Sequence, residues 1–149
     1  MAQFGRPSAD TYNADGWVDE AAGGSNIWDG IDEVSFSDAD YIESPTAPAS
    51  DVYVTKLTTL EDPLSSSNHV VRARAGKDAA GGATITLTGQ LRQGYVNEGT
   101  PGTLIATPFN AVTLGDSIAA LSDYTLSGGE ADAITDYTDL YLRFVANQA

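Results

Sequence analysis

The chain has 149 residues, 42% of them apolar, with 7 basic against 21 acidic side chains and a formal net charge of −14. That length supports one hydrophobic core and is short for two. Cysteine is absent and histidine occurs once, as His69, which excludes disulfides, thiolate metal sites and cysteine nucleophiles and argues against a Ser-His-Asp or multi-histidine centre within one chain.

The charge also bears on partners. Binding to DNA or RNA by counterion release needs clustered Lys and Arg, so no nucleic-acid partner is expected. Anionic membrane surfaces are disfavoured for the same reason, and no window approaches the roughly 18 apolar residues of a spanning helix. Met1–Pro7 lacks the apolar core of a secretory signal, so no export signal is predicted. Residues 1–62 carry thirteen carboxylates against Arg6 and Lys56 alone. Such a surface resists aggregation by self-repulsion.

In chain order, residues 1–15 come first. Ala2–Asn13 is polar, lacks periodicity, and offers only Phe4 and Tyr12 as bulky anchors. It reads as an extended N-terminal arm, leaving 16–149 as a single β-sandwich domain. Ile27–Phe36 fits two short strands around Gly30. Asp51–Leu57 has the β-former density of a strand, but either Val52 and Val54 or Tyr53 and Leu57 face inward. His69–Ala75 and Thr84–Arg92, joined by the turn Asp78–Ala83, predict a hairpin. In the second of these, Ile85, Leu87 and Leu91 alternate with Thr84, Thr86, Thr88, Gln90 and Arg92. Gly89 falls on the apolar face and marks a bulge or a close neighbour. Thr103–Phe109 and Ala111–Leu114 flank Pro108, which suits an edge or a bend.

Tyr124–Leu126 is a further short strand. Ser127 and Glu130 have capping-box spacing and predict a short helix over Gly128–Asp136. Leu140–Asn147 alternates cleanly and predicts a terminal strand. Glu43–Ser50 and Glu98–Gly102 read as loops. The expectation is an all-β protein, an antiparallel jelly-roll-like β-sandwich with one short helix before the last strand.

Candidate chemistry is sparse. Asp38 and Asp40, two apart in an acidic loop, could share a calcium ion, but the ordered register of an EF-hand loop is missing. Solvated turn carboxylates explain the same pattern. A glycosidase needs two acids across a cleft, and nothing marks a particular pair. His69, alone, reads as structural. Arg72 and Arg74 share a strand face and read as partners of nearby acids. A core position is weighed for Trp28 and Phe36 and favoured for Trp28. Trp17 stays open between core and an exposed platform, and Tyr41 joins it as a possible glycan or interface aromatic. Gly23-Gly24 and Gly81-Gly82 lack the strand-to-helix context and lysine of a phosphate loop.

Several stretches carry a resemblance. Arg6-Pro-Ser-Ala-Asp10 with Gly16-Trp17 resembles the opening of small β-sandwich virion proteins of tailed bacteriophages. Ile31-Asp-Glu33, Asp38-Ala-Asp-Tyr-Ile42, Asp62-Pro63 and His69-Val-Val-Arg72 resemble their middle. Glu130-Ala-Asp-Ala-Ile-Thr-Asp-Tyr-Thr-Asp-Leu140 running into Leu142-Arg-Phe144 resembles their end. The chain departs from that pattern around residues 93–110, where Val96–Gly102 looks like an inserted loop.

The resemblance implies a non-enzymatic jelly-roll protein of the virion, with no catalytic residues to carry over. It implies capsid decoration or cement on the outer capsid surface, bound to the major capsid protein, or alternatively a head or tail fibre or carbohydrate-binding module. No cofactor is expected beyond the calcium considered above. Uncovered sheet edges and the symmetry of shells favour a homotrimer, or a monomer that becomes ordered only on the shell. Fixing each arm residue costs roughly 1–2 kcal/mol of backbone entropy. The arm is therefore expected to order on another subunit, with Phe4 filling a pocket there, Arg6 pairing with a carboxylate and Tyr12 adding contact.

Overall fold

A computed structural model describes residues 2–19, 26–78 and 82–149. Gly23-Gly24, Gly81 and the centre of the turn before Thr84 lie outside the described residues, as does Met1. The fold is all-β with antiparallel sheets and one short α-helix before the last strand. Its frame is a five-stranded sheet built from β1 (Pro7–Tyr12), β4 (Ala49–Leu57), β7 (Ile85–Gln93), β8 (Thr103–Thr113) and β11 (Leu140–Gln148). Their order is β1-β4-β11-β7-β8, so the C-terminal strand is the centre of the sheet.

Three two-stranded ribbons form the second layer: β2 (Val18–Asp19) with β3 (Ile42–Glu43), β5 (Val70–Val71) with β10 (Tyr124–Thr125), and β6 (Arg74–Ala75) with β9 (Ala119–Ala120). Each strand in them is two residues long. Such pieces hold their geometry only by packing on something larger. At one end Leu126, Ala131 and Ile134 pack on Leu57, Leu91 and Leu140 of the sheet. At the other, Trp17 and Ile27 pack on Tyr53, Leu87 and Ala146.

The opposite face of the sheet is covered too. Residues 94–102 turn back over it, and Tyr95 packs with Val52, Val54 and Tyr141. Gly102 permits this return. Its φ is +67°, and a Cβ there would lie 2.3 Å from the Gln93 carbonyl oxygen, an approach that glycine alone tolerates. The Arg143 guanidinium grips Glu98 from the sheet, with Nε 2.9 Å from the carboxylate, and the Tyr95 hydroxyl donates to the same carboxylate at 2.9 Å. Arg92 Nη1 donates to the carbonyls of Pro101 and Gly102. The looked-for inserted loop is thus a lid on the outer face. It also explains why β4 alternates ambiguously: Val52 and Val54 are buried under the lid, while Tyr53, Thr55 and Leu57 are buried under the ribbons.

The expected hairpin between His69–Ala75 and Thr84–Arg92 does not form. Both ladders of β7 are occupied, one by β11 and the other by β8. Val70–Val71 and Arg74–Ala75 pair instead with residues 119–125. The two strands expected around Gly30 are replaced by a 3₁₀ helix, Ile27–Ile31, because Asp10 supplies acceptors for its first N–H groups. The two segments around Pro108 are one bulged edge strand. Gly89 marks both features expected of it: the register shifts on each side, and a Cβ there would lie 2.6 Å from a Phe109 ring carbon. The capping box forms, but the helix α1 spans only Gly128–Asp132, since the N–H groups of Thr135 and Asp136 turn to the Gln93 side chain at 2.8 and 2.9 Å.

The boundary expected at residue 15 is also corrected. Pro7–Tyr12 is the edge strand β1, paired with β4, so these residues belong to the domain's own sheet. What compensates their ordering is one carboxylate. Asp10 accepts from the Tyr53 hydroxyl at 2.6 Å and from the N–H groups of Ile27 and Trp28 at 2.8 and 2.9 Å. Tyr53 is 0% exposed, and burial with the adjacent carboxylate pushes its phenol far above the usual range. Thr55, equally buried, donates to the Ala9 carbonyl.

Asp10→Ala should therefore destabilise the protein by about 3 kcal/mol, since up to three donors lose a part-buried acceptor. Urea denaturation measures this, and the penalty should shrink in a Tyr53→Phe background. Glu98 gives a pH test. Hydrogen bonding to Arg143 holds its carboxyl below the ordinary glutamate range. The stability this contributes is fully present above that range and is lost as pH falls through the depressed value. The stability gap between the protein and Glu98→Gln, measured by denaturation at a series of pH values, should close on that acid side.

Candidate interaction surface

The residues proposed for binding separate into interior and surface groups. Trp17 is 7% exposed and stacks on Tyr53 with ring centroids 5.9 Å apart. Asn13 fixes it there, its side chain bonding both the N–H and the carbonyl of Trp17 at 2.8 Å. Trp17 is thus a core residue and not an exposed platform, because the chain after β1 must close over the Tyr53 ring. Tyr41 is half-buried, and Trp28, expected in the core, is half-buried as well. Phe36, also weighed for the core, is exposed and stacked under the Arg74 guanidinium, 4.3 Å from its centroid.

Asp38 and Asp40 meet different neighbours. Asp38 is held bidentately by Arg74, with Nε and Nη2 at 2.7 and 2.6 Å, and this bond holds its carboxyl below the usual range. Asp40 lies instead beside Glu33, whose carboxyl is pushed up by burial and by the neighbouring Asp40 and Asp32. No group of three or more potential ligands converges among the described residues. Arg72 pairs with Asp123 at 2.8 Å, so both arginines of that stretch find acidic partners as expected.

Of the three arm residues, Tyr12 packs under the lid with Val54, Tyr95 and Tyr141. Within its own chain Arg6 belongs to no ion pair among the described residues. Its Nε donates to the Glu33 carbonyl at 3.2 Å, and its guanidinium lies 5.2 Å from the Phe4 ring centroid. Phe4 is 61% exposed. The segment around it is tied to the loop after β4: the Gln3 side chain bonds both the N–H and the carbonyl of Glu61, and Thr58 donates its N–H to the Arg6 carbonyl at 2.7 Å.

Phe4 stands at the mouth of a groove that sequence reading does not anticipate. The groove, about 520 Å³, runs between the sheet and the β5–β10 ribbon. Leu57, Leu91, Leu140 and Leu142 line it from the sheet, and Leu126 and Ile134 from the other side. Leu64, 90% exposed, lies just outside, and Val70 is partly exposed at the rim. Within it, His69 Nε2 and the Tyr137 hydroxyl are 2.8 Å apart, while His69 Nδ1 is buried without a hydrogen-bond partner among the described residues. Each leucine reads as ordinary core in its own strand. No local signal could reveal that the layers separate here, because the gap depends on how α1 and the ribbon sit against the sheet.

No family model, curated protein or solved structure matches the chain.

Trp17→Ala should cost about 3–5 kcal/mol, as for other buried aromatics cut to alanine. Thermal or urea denaturation checks this. Unchanged stability would return Trp17 to the surface role that its packing denies.

Proposed function

We propose that this protein is a non-enzymatic structural protein of a phage virion, a decoration or cement subunit. On this reading it binds the outer face of the major capsid lattice and braces it, and it acts as a homotrimer. One observation supports the reading beyond the resemblance in sequence. An apolar groove with Phe4 exposed at its mouth and Leu64 exposed beside it interrupts a surface whose net charge is strongly negative. Exposed apolar surface of this kind, rimmed by polar groups, is the usual mark of a protein-binding face. The acidic remainder resists non-specific aggregation and repels packaged DNA.

Stabilisation of the shell would follow from mass action, since a subunit that binds only the assembled lattice shifts the equilibrium toward it. Particles lacking the protein should release DNA at lower temperature or on milder dilution than complete particles, as followed by dye access during heating. Equal stability of the two particles would overturn the reading. Light scattering on the purified protein should give three times the chain mass, and a stable dimer would exclude the trimer.

A further inference from the structure

The groove has a second compartment. Tyr137 and Ile134 also line an adjoining recess of about 470 Å³, bounded by Asp62, Ser65, Ser66 and Asp132. Neither Asp62 nor Asp132 belongs to an ion pair among the described residues. Burial pushes the Tyr137 phenol upward, and the charges of Asp62 and Asp132 push it the same way. Five of the seven basic side chains are already paired with carboxylates, Arg72 at the groove among them. This chain therefore has little cationic charge left to bring to the recess.

An apolar slot that opens beside two uncompensated carboxylates has a defined complement. We infer that the slot and recess together dock an extended segment of a partner protein, which inserts one bulky aliphatic side chain among the half-buried Leu60, Val71 and Leu142 and places an adjacent Lys or Arg against Asp62 and Asp132. The aliphatic anchor supplies burial, and the charge pair sets the direction of the segment and rejects acidic sequences. The main chain at the mouth is held by exposed side-chain hydrogen bonds, those of Gln3 with Glu61 among them, so the opening lies where local rearrangement is least costly.

The inference rests on the proposed decoration role only for the identity of the partner. The binding chemistry is testable on the isolated protein with three capped heptapeptides, one carrying Leu-Lys-Lys at its centre, one Leu-Glu-Glu and one Ser-Lys-Lys. The ¹⁵N-labelled full chain is titrated with each. The Leu-Lys-Lys peptide should shift the amides of Leu57, Leu126 and Tyr137 saturably, and more weakly as salt is raised. The other two should bind more weakly or not at all. In Asp62→Asn/Asp132→Asn the affinity for Leu-Lys-Lys should fall about fivefold, from two partly exposed charge contacts. Both side chains are exposed, and the Asp62→Asn change keeps a side-chain oxygen to accept from the Leu64 N–H, so this variant should melt as the parent does. A second variant, Val71→Phe, fills the slot and should abolish binding while leaving circular dichroism unchanged.

No shifts at the groove with any peptide, equal binding of Leu-Glu-Glu, or unchanged affinity in the double variant would each overturn the inference. These outcomes are independent of the particle assay. Binding at the groove by a protein that does not stabilise particles would retain the site and reject the capsid role, and the reverse result would do the opposite.

Discussion

The Asp10 carboxylate is the constraint on which the rest of the arrangement depends. It sits in the edge strand β1 yet serves three elements, taking the hydroxyl of the fully buried Tyr53 and the two leading N–H groups of the 3₁₀ helix. A tyrosine buried at the centre of a sheet needs a partner for its hydroxyl, and a helix start needs acceptors for its N–H groups. One carboxylate answers both needs. In doing so it ties the first strand, the fourth strand and the segment carrying Ile27 into one unit. Trp17 can then stack on the Tyr53 ring, because the chain between them is already fixed by Asn13 and by Asp15, which accepts from the Val52 N–H at 2.7 Å.

A similar device closes the other face. Glu98 stands on a loop, but Arg143 beneath it comes from the central strand, and Tyr95 adds a second donor. The part-buried ion pair is hydrogen-bonded on both oxygens, the condition under which such a pair is tolerated away from water. The lid therefore completes the burial of Val52, Val54 and Tyr141. Without it the sheet would have a wet face, and β4 would read as an ordinary alternating strand. Both faces of β4 and β11 are instead covered, by irregular pieces and not by a second full sheet.

The basic residues follow the same pattern. Lys56, Arg72, Arg74, Lys77 and Arg143 all meet carboxylates, while Arg6 and Arg92 donate to neutral oxygens of the loops they hold down. Cations are used for internal cross-links, so the carboxylates that remain define the field seen by a partner. That field, together with the apolar groove at one end of the sheet, is what gives the molecule a distinguishable face.

The sequence by itself determined the all-β class, the terminal strand, the capping box at Ser127 and the choice of an edge or a bend at Pro108. Each follows from local rules: alternation of side chains, spacing of a cap, the missing N–H of proline. It also identified Arg72 and Arg74 as partners of acids, since a scarce cation in an acidic chain finds one almost anywhere it points. Only tertiary structure decided the strand pairing of residues 70–75, the inclusion of Pro7–Tyr12 in the sheet, and the interior position of Trp17. Those depend on contacts between residues far apart in the chain. Asp10 and Tyr53 are separated by 43 positions and Glu98 and Arg143 by 45, and no periodicity within either segment records the other. The groove belongs to the same class, for it is a space between layers, and a space has no residue of its own to be read in a sequence.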